Sequence, residues 1–513
     1  MSAAPATEPP LAARRRLVAA IALGAVAARV VVGLHGAVDG DEAAMGIAAE
    51  RLLHGHPILV EPNFHYLGAL EVYAVAPFVA VFGSTPLALR LGMGSLGAAY
   101  VVAMYALGRA VLARFWPALT LAAVSAVFPL MAVAWGTKAR WGYDVLLLCA
   151  AVVLWLATLV GWRGRAGDVR VWAALGLAAG IGFWNNLLVL EVVAVAGVAL
   201  LCRGRAVGWS VLGRGTCAAA LGAAVGALPW AVANLRDGFD GLRAVPRYSI
   251  PVDAAVHGML DHGLPIFTGF EGTCESPAFS PRIAEAVLAV FACAVVAVRG
   301  RALLALLRGR LDALEPHEMV LALAPVSVVP VVVGPDNGLF CEPRYAFLLC
   351  IPMAFGLTLL LLLRPPLRLL TLAATAGWLA ASGVAAHGTT IDGRVVTTDG
   401  TWLPGDDVVS AAADRLRPLD LRYVAADYWL ARPVLYFSDR LVPAAPMGST
   451  NDIDPPIRPP DAWLVVSGEP LGARIEAYCR SAGITFTRTD LGGIVLYGDF
   501  SAPVLPQDLP PHG

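Results

Sequence analysis

Charged residues are scarce in this sequence, and lysine is almost absent. Only 15% of the 513 residues are charged, against about a quarter in a soluble domain, and the single lysine is Lys138. The net charge of −1 gives no basic field for nucleic acid, so we expect no nucleic-acid partner. The cysteines contain no Cys-x-x-Cys pair, which argues against a zinc module.

Long hydrophobic runs take the place of the missing charge. Hydrophobic residues make up 58% of the chain, and the mean hydropathy is +0.69. This composition predicts a polytopic α-helical membrane protein. Two adjoining runs (171–185 and 187–202) are short, and a re-entrant hairpin is the alternative there. In all, about eleven runs approach spanning length, at residues 17–36, 85–108, 117–136, 142–161, 171–185, 187–202, 211–234, 283–299, 318–334, 345–363 and 367–386.

The placement of arginine predicts the orientation of these spans. Arginines concentrate in the N-terminal segment and in one set of loops, which the positive-inside rule assigns to the cytoplasm. The loops 37–84, 235–282 and 335–344 are then external, in a multi-pass protein of the plasma (inner) membrane. The first run is long for a signal peptide and lacks a cleavage site, so we interpret it as a retained span. Cys274 and Cys341 fall in external loops, where a disulfide is one alternative.

The composition changes near residue 390. Proline, aspartate and threonine become common, and strand-like runs at 421–429, 462–468 and 492–500 alternate with helix-like stretches at 406–417 and 470–482. We therefore predict a transmembrane domain over residues 1–390 and a small external α/β domain over residues 391–513. This second domain contains no catalytic motif, and we expect it to cap the membrane part or to contact an acceptor.

Acidic residues cluster directly after the first span. Asp39, Asp41 and Glu42 precede a helix-like run at 43–53. One interpretation is helix capping, with Asp39 or Asp41 accepting backbone N–H groups. The other is a catalytic base, or a ligand for a divalent cation such as Mg²⁺ or Mn²⁺, with Asp41 as the candidate ligand. The two interpretations are compatible, because a helix start holds a carboxylate rigidly.

Cations occur on the side of the membrane to which the acids are assigned. Lys138 and Arg140 lie in the turn WGTKARWGYD, residues 135–144, and Arg344 precedes a later span. A solvated turn and a snorkelling arginine are the ordinary interpretations. The functional interpretation is a seat for a phosphate, in which arginine donates two hydrogen bonds and lysine supplies a point charge.

Other polar residues near these segments are candidates for substrate contacts. Glu71 lies among aromatic residues that include Tyr66, on a stretch that either lies on the membrane surface with Glu71 facing water or belongs to the site. His65 and Tyr345 are further substrate-binding candidates. The histidines are spaced too irregularly to be assigned as metal ligands. Glu191, within an apolar run, is an intramembrane acid and therefore a site candidate.

Taken in order, these segments resemble the GT-C superfamily of integral membrane glycosyltransferases, and within it the family 39-like branch. That branch is related to protein O-mannosyltransferases and lipid A aminoarabinose transferases. The resemblance extends over roughly residues 15–390. It rests on Asp41-Glu42, AAERLLHGHP, YLGALEVYAVAPFVAVFG, LALRLGMGSLGAAYVVAMYALGR, TKARWGYDVLLL, GLAAGIGFWNNLLVL and Arg344-Tyr345.

The resemblance implies transfer of a sugar from a polyprenyl-phosphate donor to a lipid, glycan or protein acceptor on the external face. It assigns the role of base or metal holder to Asp41, with Asp39 and Glu42 in support. The chain departs from aminoarabinose transferases in lacking a Lys-Pro-Pro stretch after the first loop helix, and from eukaryotic mannosyltransferases in lacking a β-trefoil insert. The alternatives are a transporter or flippase of lipid-linked sugars and a non-catalytic cell-envelope scaffold.

Overall fold

The protein is described by a computed structural model. It covers residues 8–62, 66–236, 238–239, 249–270, 280–310, 314–334, 337–338, 343–387, 390–391, 394–396, 402–447, 453–456 and 458–509. Three residues named above, His65, Cys274 and Cys341, lie outside these ranges, and so does any disulfide between the two cysteines.

Helices form the larger, N-terminal part of the chain. They are α1 (Leu11–Gly33), α2 (Gly40–Leu53), α3 (Leu70–Phe82), α4 (Pro86–Leu112), α5 (Phe115–Val127), α6 (Leu130–Trp135), α7 (Tyr143–Trp162), α8 (Val169–Asn185), α9 (Val189–Cys202), α10 (Gly204–Val207), α11 (Trp209–Gly226), α12 (Leu228–Arg236), α13 (Val252–Gly258), α14 (Leu264–Thr268), α15 (Pro281–Leu307), α16 (Pro316–Val333), α17 (Cys350–Leu361) and α18 (Pro365–His387). A π-helical turn (Met259–Gly263) precedes α14, and a 3-10 turn (Arg344–Leu349) precedes α17.

Several of these helices are candidates for membrane spans. Among the described residues, 6 helices are long and apolar enough to cross a membrane, or 7 if α11 and α12, which meet at 50°, form one bent span. The predicted count of about eleven is therefore not confirmed. The runs at 171–185 and 187–202 become α8 and α9, of 17 and 14 residues. At 1.5 Å per residue neither reaches the roughly 30 Å of a hydrocarbon core.

Two buried arginines hold the segment that follows α5. The chain breaks between α5 and α6, which leaves carbonyl groups without helical partners. Arg29 of α1 donates to the carbonyl oxygens of Ala126 and Ala132 at 3.2 and 3.4 Å. Arg90 of α4 donates to the carbonyl oxygen of Thr137 at 3.0 Å. Both side chains are fully buried in apolar helices, so they fix where the loop 136–142 leaves α6.

The C-terminal part forms a small mixed sheet with helices, which agrees with the predicted α/β character. The elements are β1 (Thr390–Ile391), β2 (Arg394–Val396), β3 (Trp402–Pro404), α19 (Asp406–Leu416), β4 (Val424–Ala426), α20 (Tyr428–Phe437), β5 (Ala444–Pro446), β6 (Ala462–Val466), α21 (Pro470–Ala482), β7 (Thr487–Asp490) and β8 (Ile494–Gly498). The five-stranded sheet has the order β5-β4-β6-β8-β7, with β4 parallel to β5 and β6, and β8 antiparallel to β6 and β7.

Helix α20 packs against α2, and one apolar cluster runs through both parts of the chain. Two glycines of α2 permit this close approach. A Cβ on Gly40 would lie 2.8 Å from the ring of Tyr428, and one on Gly46 would lie 2.4 Å from the ring of Tyr436. The hydroxyl of Tyr436 also donates to the carbonyl oxygen of Thr85 at 3.1 Å. The C-terminal domain is thus seated directly on the first helix after α1.

Candidate active site

Asp39 caps helix α2 and is completely buried. Its Oδ1 accepts the backbone N–H groups of Asp41 and Glu42, each at 3.1 Å, and Glu42 reaches back to the N–H of Asp39 at 3.3 Å. This reciprocal pair is a capping box, and it makes the start of α2 rigid. The capping interpretation therefore holds for Asp39, with the helix beginning at Gly40.

The other oxygen of Asp39 meets the cations of the loop after α6. Its Oδ2 accepts from Lys138 Nζ at 3.0 Å and from Arg140 Nη2 at 2.8 Å. Burial alone would raise the pKa of Asp39, but Arg140 and Lys138, together with the backbone donor, outweigh it and hold that pKa below its ordinary value. The carboxylate is thus ionised at neutral pH.

Asp41 lies one residue into the helix and remains partly open to solvent. Its Oδ2 accepts from Nη1 of Arg140, so this guanidinium bridges Asp39 and Asp41. The side chain of Asp41 is 28% exposed and that of Lys138 is 27% exposed, while the side chain of Arg140 is 10% exposed. The carboxylate of Asp41 and the ammonium of Lys138 are therefore both partly exposed, while the guanidinium that bridges Asp39 and Asp41 is buried.

Glu42 points away from these cations into a buried pair. Its carboxylate accepts from Arg90 and from the backbone N–H of Ala139, the latter at 3.0 Å. Both side chains are almost fully buried, at 0% for Glu42 and 1% for Arg90. Because Ala139 lies between Lys138 and Arg140, Glu42 fixes the cation-bearing loop against α2.

Glu71 lies in the first turn of the apolar helix α3, and its side chain does not face water. It is fully buried at the start of α3, where Oε1 accepts the backbone N–H of Val145 at 3.4 Å. The segment before it is attached to the end of α8, since Asn185 accepts the N–H groups of Gly68 and Leu70 at 3.0 and 3.1 Å.

Two further candidates are Tyr66 and Glu191. Tyr66 packs at the edge of the apolar cluster that contains α2. Glu191 is in the first turn of α9, a helix of the membrane part.

Arg344 and Tyr345 occupy the 3-10 turn before α17. The Arg344 guanidinium carbon lies 5.6 Å from the centre of the Tyr345 ring. Three residues on, Phe347 packs against Trp135 and Tyr143, with ring centres 6.2 and 5.6 Å apart. Arg140 in turn packs on Trp135, with the guanidinium carbon 5.8 Å from the centre of the Trp135 ring. The turn is therefore linked to the cation-bearing loop through one layer of aromatic rings.

The C-terminal domain contributes a residue that the sequence did not reveal. The hydroxyl of Tyr428, the first residue of α20, donates to Oδ1 of Asp41. The same hydroxyl accepts from Arg432 Nη1 at 2.9 Å, and Arg432 pairs with Asp454 through two contacts of 3.0 and 2.9 Å. Tyr428 and Asp41 are 387 positions apart, and no motif marks the tyrosine.

Comparison with known proteins concerns the fold. No protein-family model matches the sequence, and none of the curated proteins matches it. The structure is similar to that of ArnT from Cupriavidus metallidurans in the apo state, with a TM-score of 0.57 and 13% sequence identity over 94% of this chain and 98% of that chain. ArnT is an aminoarabinose transferase of GT-C fold.

The chain has the GT-C fold.

Two other structures give lower scores. ArnT bound to undecaprenyl phosphate gives a TM-score of 0.47 at 13% identity, over 95% of this chain and 98% of that chain. The apo oligosaccharyltransferase of Archaeoglobus fulgidus gives 0.46 at 13% identity, over 84% of this chain and 64% of that chain. The GT-C-like architecture that the ordered motifs predicted is confirmed by the first of the three comparisons.

The carboxylates at the start of α2, as arranged, do not form a site for a divalent cation. Oδ1 of Asp41 accepts from Tyr428 and Oδ2 from Arg140, while both oxygens of Asp39 accept from nitrogen donors. A cation needs several oxygen ligands directed at one point. Among the described residues, no group of three or more histidine, cysteine, aspartate or glutamate side chains is arranged to hold one.

Proposed function

We propose that the protein is a membrane glycosyltransferase that moves a sugar from a polyprenyl-phosphate donor to an acceptor on the external face of the membrane. The acceptor is a lipid, a glycan or a protein. A fold alone does not fix a reaction, because one fold hosts many functions. The proposal therefore rests on the side chains at the start of α2 and in the loop 136–142.

One observation carries the proposal: a partly exposed carboxylate and a partly exposed lysine belong to one ion cluster with a buried arginine. Asp41 and Lys138 are both partly exposed, and each contacts a partner in the ion cluster of Asp39 and Arg140. Transfer from a sugar phosphate needs a base for the acceptor hydroxyl and positive charge for the departing phosphate. The cluster supplies both at fixed positions.

In the proposed reaction the acceptor hydroxyl attacks the anomeric carbon of the donor sugar. The new bond joins the acceptor oxygen to that carbon, and the bond from the carbon to the phosphate oxygen breaks. The phosphate leaves with the bonding electron pair and remains on the polyprenyl chain. Asp41 accepts the hydroxyl proton as the oxygen attacks. A single displacement of this kind inverts the anomeric centre.

Within this scheme Lys138 is the primary contact of the phosphate. Its ammonium has three N–H groups, so it can hold Asp39 and a phosphate oxygen together. Arg140 is more buried and already bridges two carboxylates, so its first task is to fix Asp39 and Asp41. Arg344 is proposed as a further phosphate contact, because its turn packs on the aromatic layer beneath Arg140.

The remaining candidates are proposed to shape the sugar and acceptor sites. Tyr66 and Tyr345 can stack on a sugar ring with their apolar faces and keep a hydroxyl for hydrogen bonding. His65 is proposed as a substrate-binding residue because of its position in the sequence, in the loop between α2 and α3. Glu71 is buried against α7, so its proposed role is to hold α3 and α7 together beneath the site.

The experiment incubates the purified protein in lipid vesicles with a panel of radiolabelled polyprenyl-phosphate sugars and membrane acceptors. The proposal expects transfer of label from at least one donor to an acceptor, with release of polyprenyl phosphate. Movement of the labelled lipid across the vesicle without transfer would overturn the proposal and favour a flippase. Binding of an acceptor without either activity would favour a scaffold.

A further inference from the structure

We infer that Tyr428 of the C-terminal domain is a positioning residue of the transfer site, whose hydroxyl fixes the carboxylate of Asp41 for proton acceptance. This inference rests on the function proposed above. It gives the C-terminal domain a part in the reaction, beyond covering the membrane domain.

The hydroxyl of Tyr428 is held in a chain of contacts that ends in a buried ion pair. It accepts from Arg432 and donates to Asp41. Arg432 and Asp454 pair through two parallel hydrogen bonds, and both side chains are 0% exposed. A bidentate pair fixes direction as well as distance. The position of the Tyr428 oxygen is therefore set from inside the C-terminal domain.

The ring of Tyr428 is fixed as firmly as its hydroxyl. Asp427 caps α20 by accepting the N–H of Trp429 at 2.9 Å, which sets the backbone on both sides of Tyr428. The Arg432 guanidinium carbon lies 4.6 Å from the centre of the ring. The ring also meets Gly40, where a Cβ would be too close. The residue beside Asp41 thus has no side chain, and this permits the contact.

The protonation of Tyr428 supports the direction of its hydrogen bond. Burial, with the negative charge of Asp41 beside it, raises the pKa of Tyr428 well above its ordinary value. The phenol therefore stays neutral through the physiological range and remains a donor to Asp41. The lone pairs of its oxygen are available to Arg432.

The contact leaves Asp41 able to accept a further proton. A carboxylate has about four lone-pair positions. Arg140 and Tyr428 each approach a different oxygen of Asp41, and the side chain is still 28% exposed. Two donors on two oxygens stop the carboxylate from rotating. The remaining lone pairs of each oxygen then keep a fixed orientation, along which an acceptor hydroxyl can approach.

The experiment compares Tyr428→Phe with Tyr436→Phe in the full-length protein in vesicles. Both variants lose one hydroxyl from the same helix, at the same interface with α2. The hydroxyl of Tyr436 donates to the carbonyl oxygen of Thr85 and not to a carboxylate. Turnover, the KM for donor and acceptor, and the melting temperature are measured for each variant.

We expect Tyr428→Phe to lower kcat about 10- to 100-fold, because a hydrogen bond to a charged group is lost. Both KM values should stay within about threefold, since positioning of the base is used in the transition state. Tyr436→Phe should retain kcat within about threefold of wild type. Its change in melting temperature should be similar to that of Tyr428→Phe. A second variant, Arg432→Lys, keeps the charge beside Asp454, weakens the hold on Tyr428 and should give an intermediate kcat.

Equal kcat values for Tyr428→Phe and Tyr436→Phe would overturn the inference, and so would a higher kcat in Tyr428→Phe, which would mean that the phenol blocks the base. The proposed function survives either result as long as the wild-type protein transfers sugar and Asp41→Asn does not. Absence of transfer by the wild-type protein from every donor would instead defeat the proposed function itself.

Discussion

Replacing Lys138 with methionine removes the one lysine of the chain and keeps most of its apolar stem. In the proposed reaction this removes the positive charge that stabilises the departing phosphate, and it leaves Asp41 in place. The fold should tolerate the change, because Asp39 keeps Arg140 at 2.8 Å and two backbone donors at 3.1 Å. Melting temperature checks this point.

The size of the effect follows from charge and exposure. Two unit charges about 4 Å apart interact by about 4 kcal/mol at the effective dielectric of a protein surface. The Lys138 side chain is 27% exposed, so water weakens the interaction, and about 2 to 4 kcal/mol is a fair range. That is about 30- to 1,000-fold in kcat. Lys138→Arg retains the charge and should keep kcat within about tenfold of wild type.

A second assay uses the solitary lysine and needs no turnover. An amine-reactive acylating reagent modifies Lys138, and the modified peptide is quantified by mass spectrometry. Polyprenyl phosphate at saturation should slow this acylation, because the bound phosphate pairs with the Lys138 side chain and shields it from the reagent. Lys138→Arg provides the blank for the labelled peptide. If kcat is unchanged in Lys138→Met and polyprenyl phosphate gives no protection, the assignment of Lys138 to the phosphate is refuted.

Three further predictions concern the structure that supports the site. Burial raises the pKa of Asp406 to about 6, so its contribution to stability is present below the unfolded pKa and is lost as the pH rises through 6; Asp406→Asn should therefore raise the melting temperature more at pH 8 than at pH 5, and an equal shift at the two pH values would contradict this. Arg90→Met leaves Glu42 buried without its cation and should destabilise by about 3 to 5 kcal/mol, and a denaturation midpoint equal to that of wild type would exclude this. Gly46→Ala crowds the C-terminal domain and should cost about 1 to 3 kcal/mol in the same measurement, more than an alanine at exposed Gly24.

The acidic cluster and the cationic turn were recognisable in the sequence because each occupies a few consecutive residues. Asp39 and Glu42 have the spacing of a capping box, and the lone lysine stands out in a chain rich in arginine. Their meeting could be inferred from topology, since both segments were assigned to the same side of the membrane. The contact of Arg140 with both Asp39 and Asp41 required the coordinates.

The supporting residues were missed because their partners are far away in the chain. Arg29 and Arg90 lie in apolar runs, where an arginine is expensive unless it is paired, and that was the available signal. Tyr428 gave no signal, because a tyrosine at a helix start in an α/β domain is ordinary. Only the docking of α20 on α2 brings it to Asp41.

Hydropathy predicted the membrane class, while the predicted number of spans is not confirmed among the described residues. The run that became α9 is apolar apart from Glu191, yet the helix is only 14 residues long and follows shortly after α8. Hydropathy reports how apolar a segment is, and it does not say where the helix will end. Capping groups and turns decide that, as Asn185 and its neighbours do at the end of α8.

The measurement that tests the central claim most directly is the turnover of Asp41→Asn with a donor that the wild-type protein uses. Loss of a general base predicts a fall in kcat of about 10²- to 10⁴-fold. Polyprenyl phosphate should still protect Lys138 of this variant from acylation, since the phosphate seat is intact. Turnover equal to that of wild type, with the variant folded and the donor bound, would contradict the assignment of Asp41 as the base.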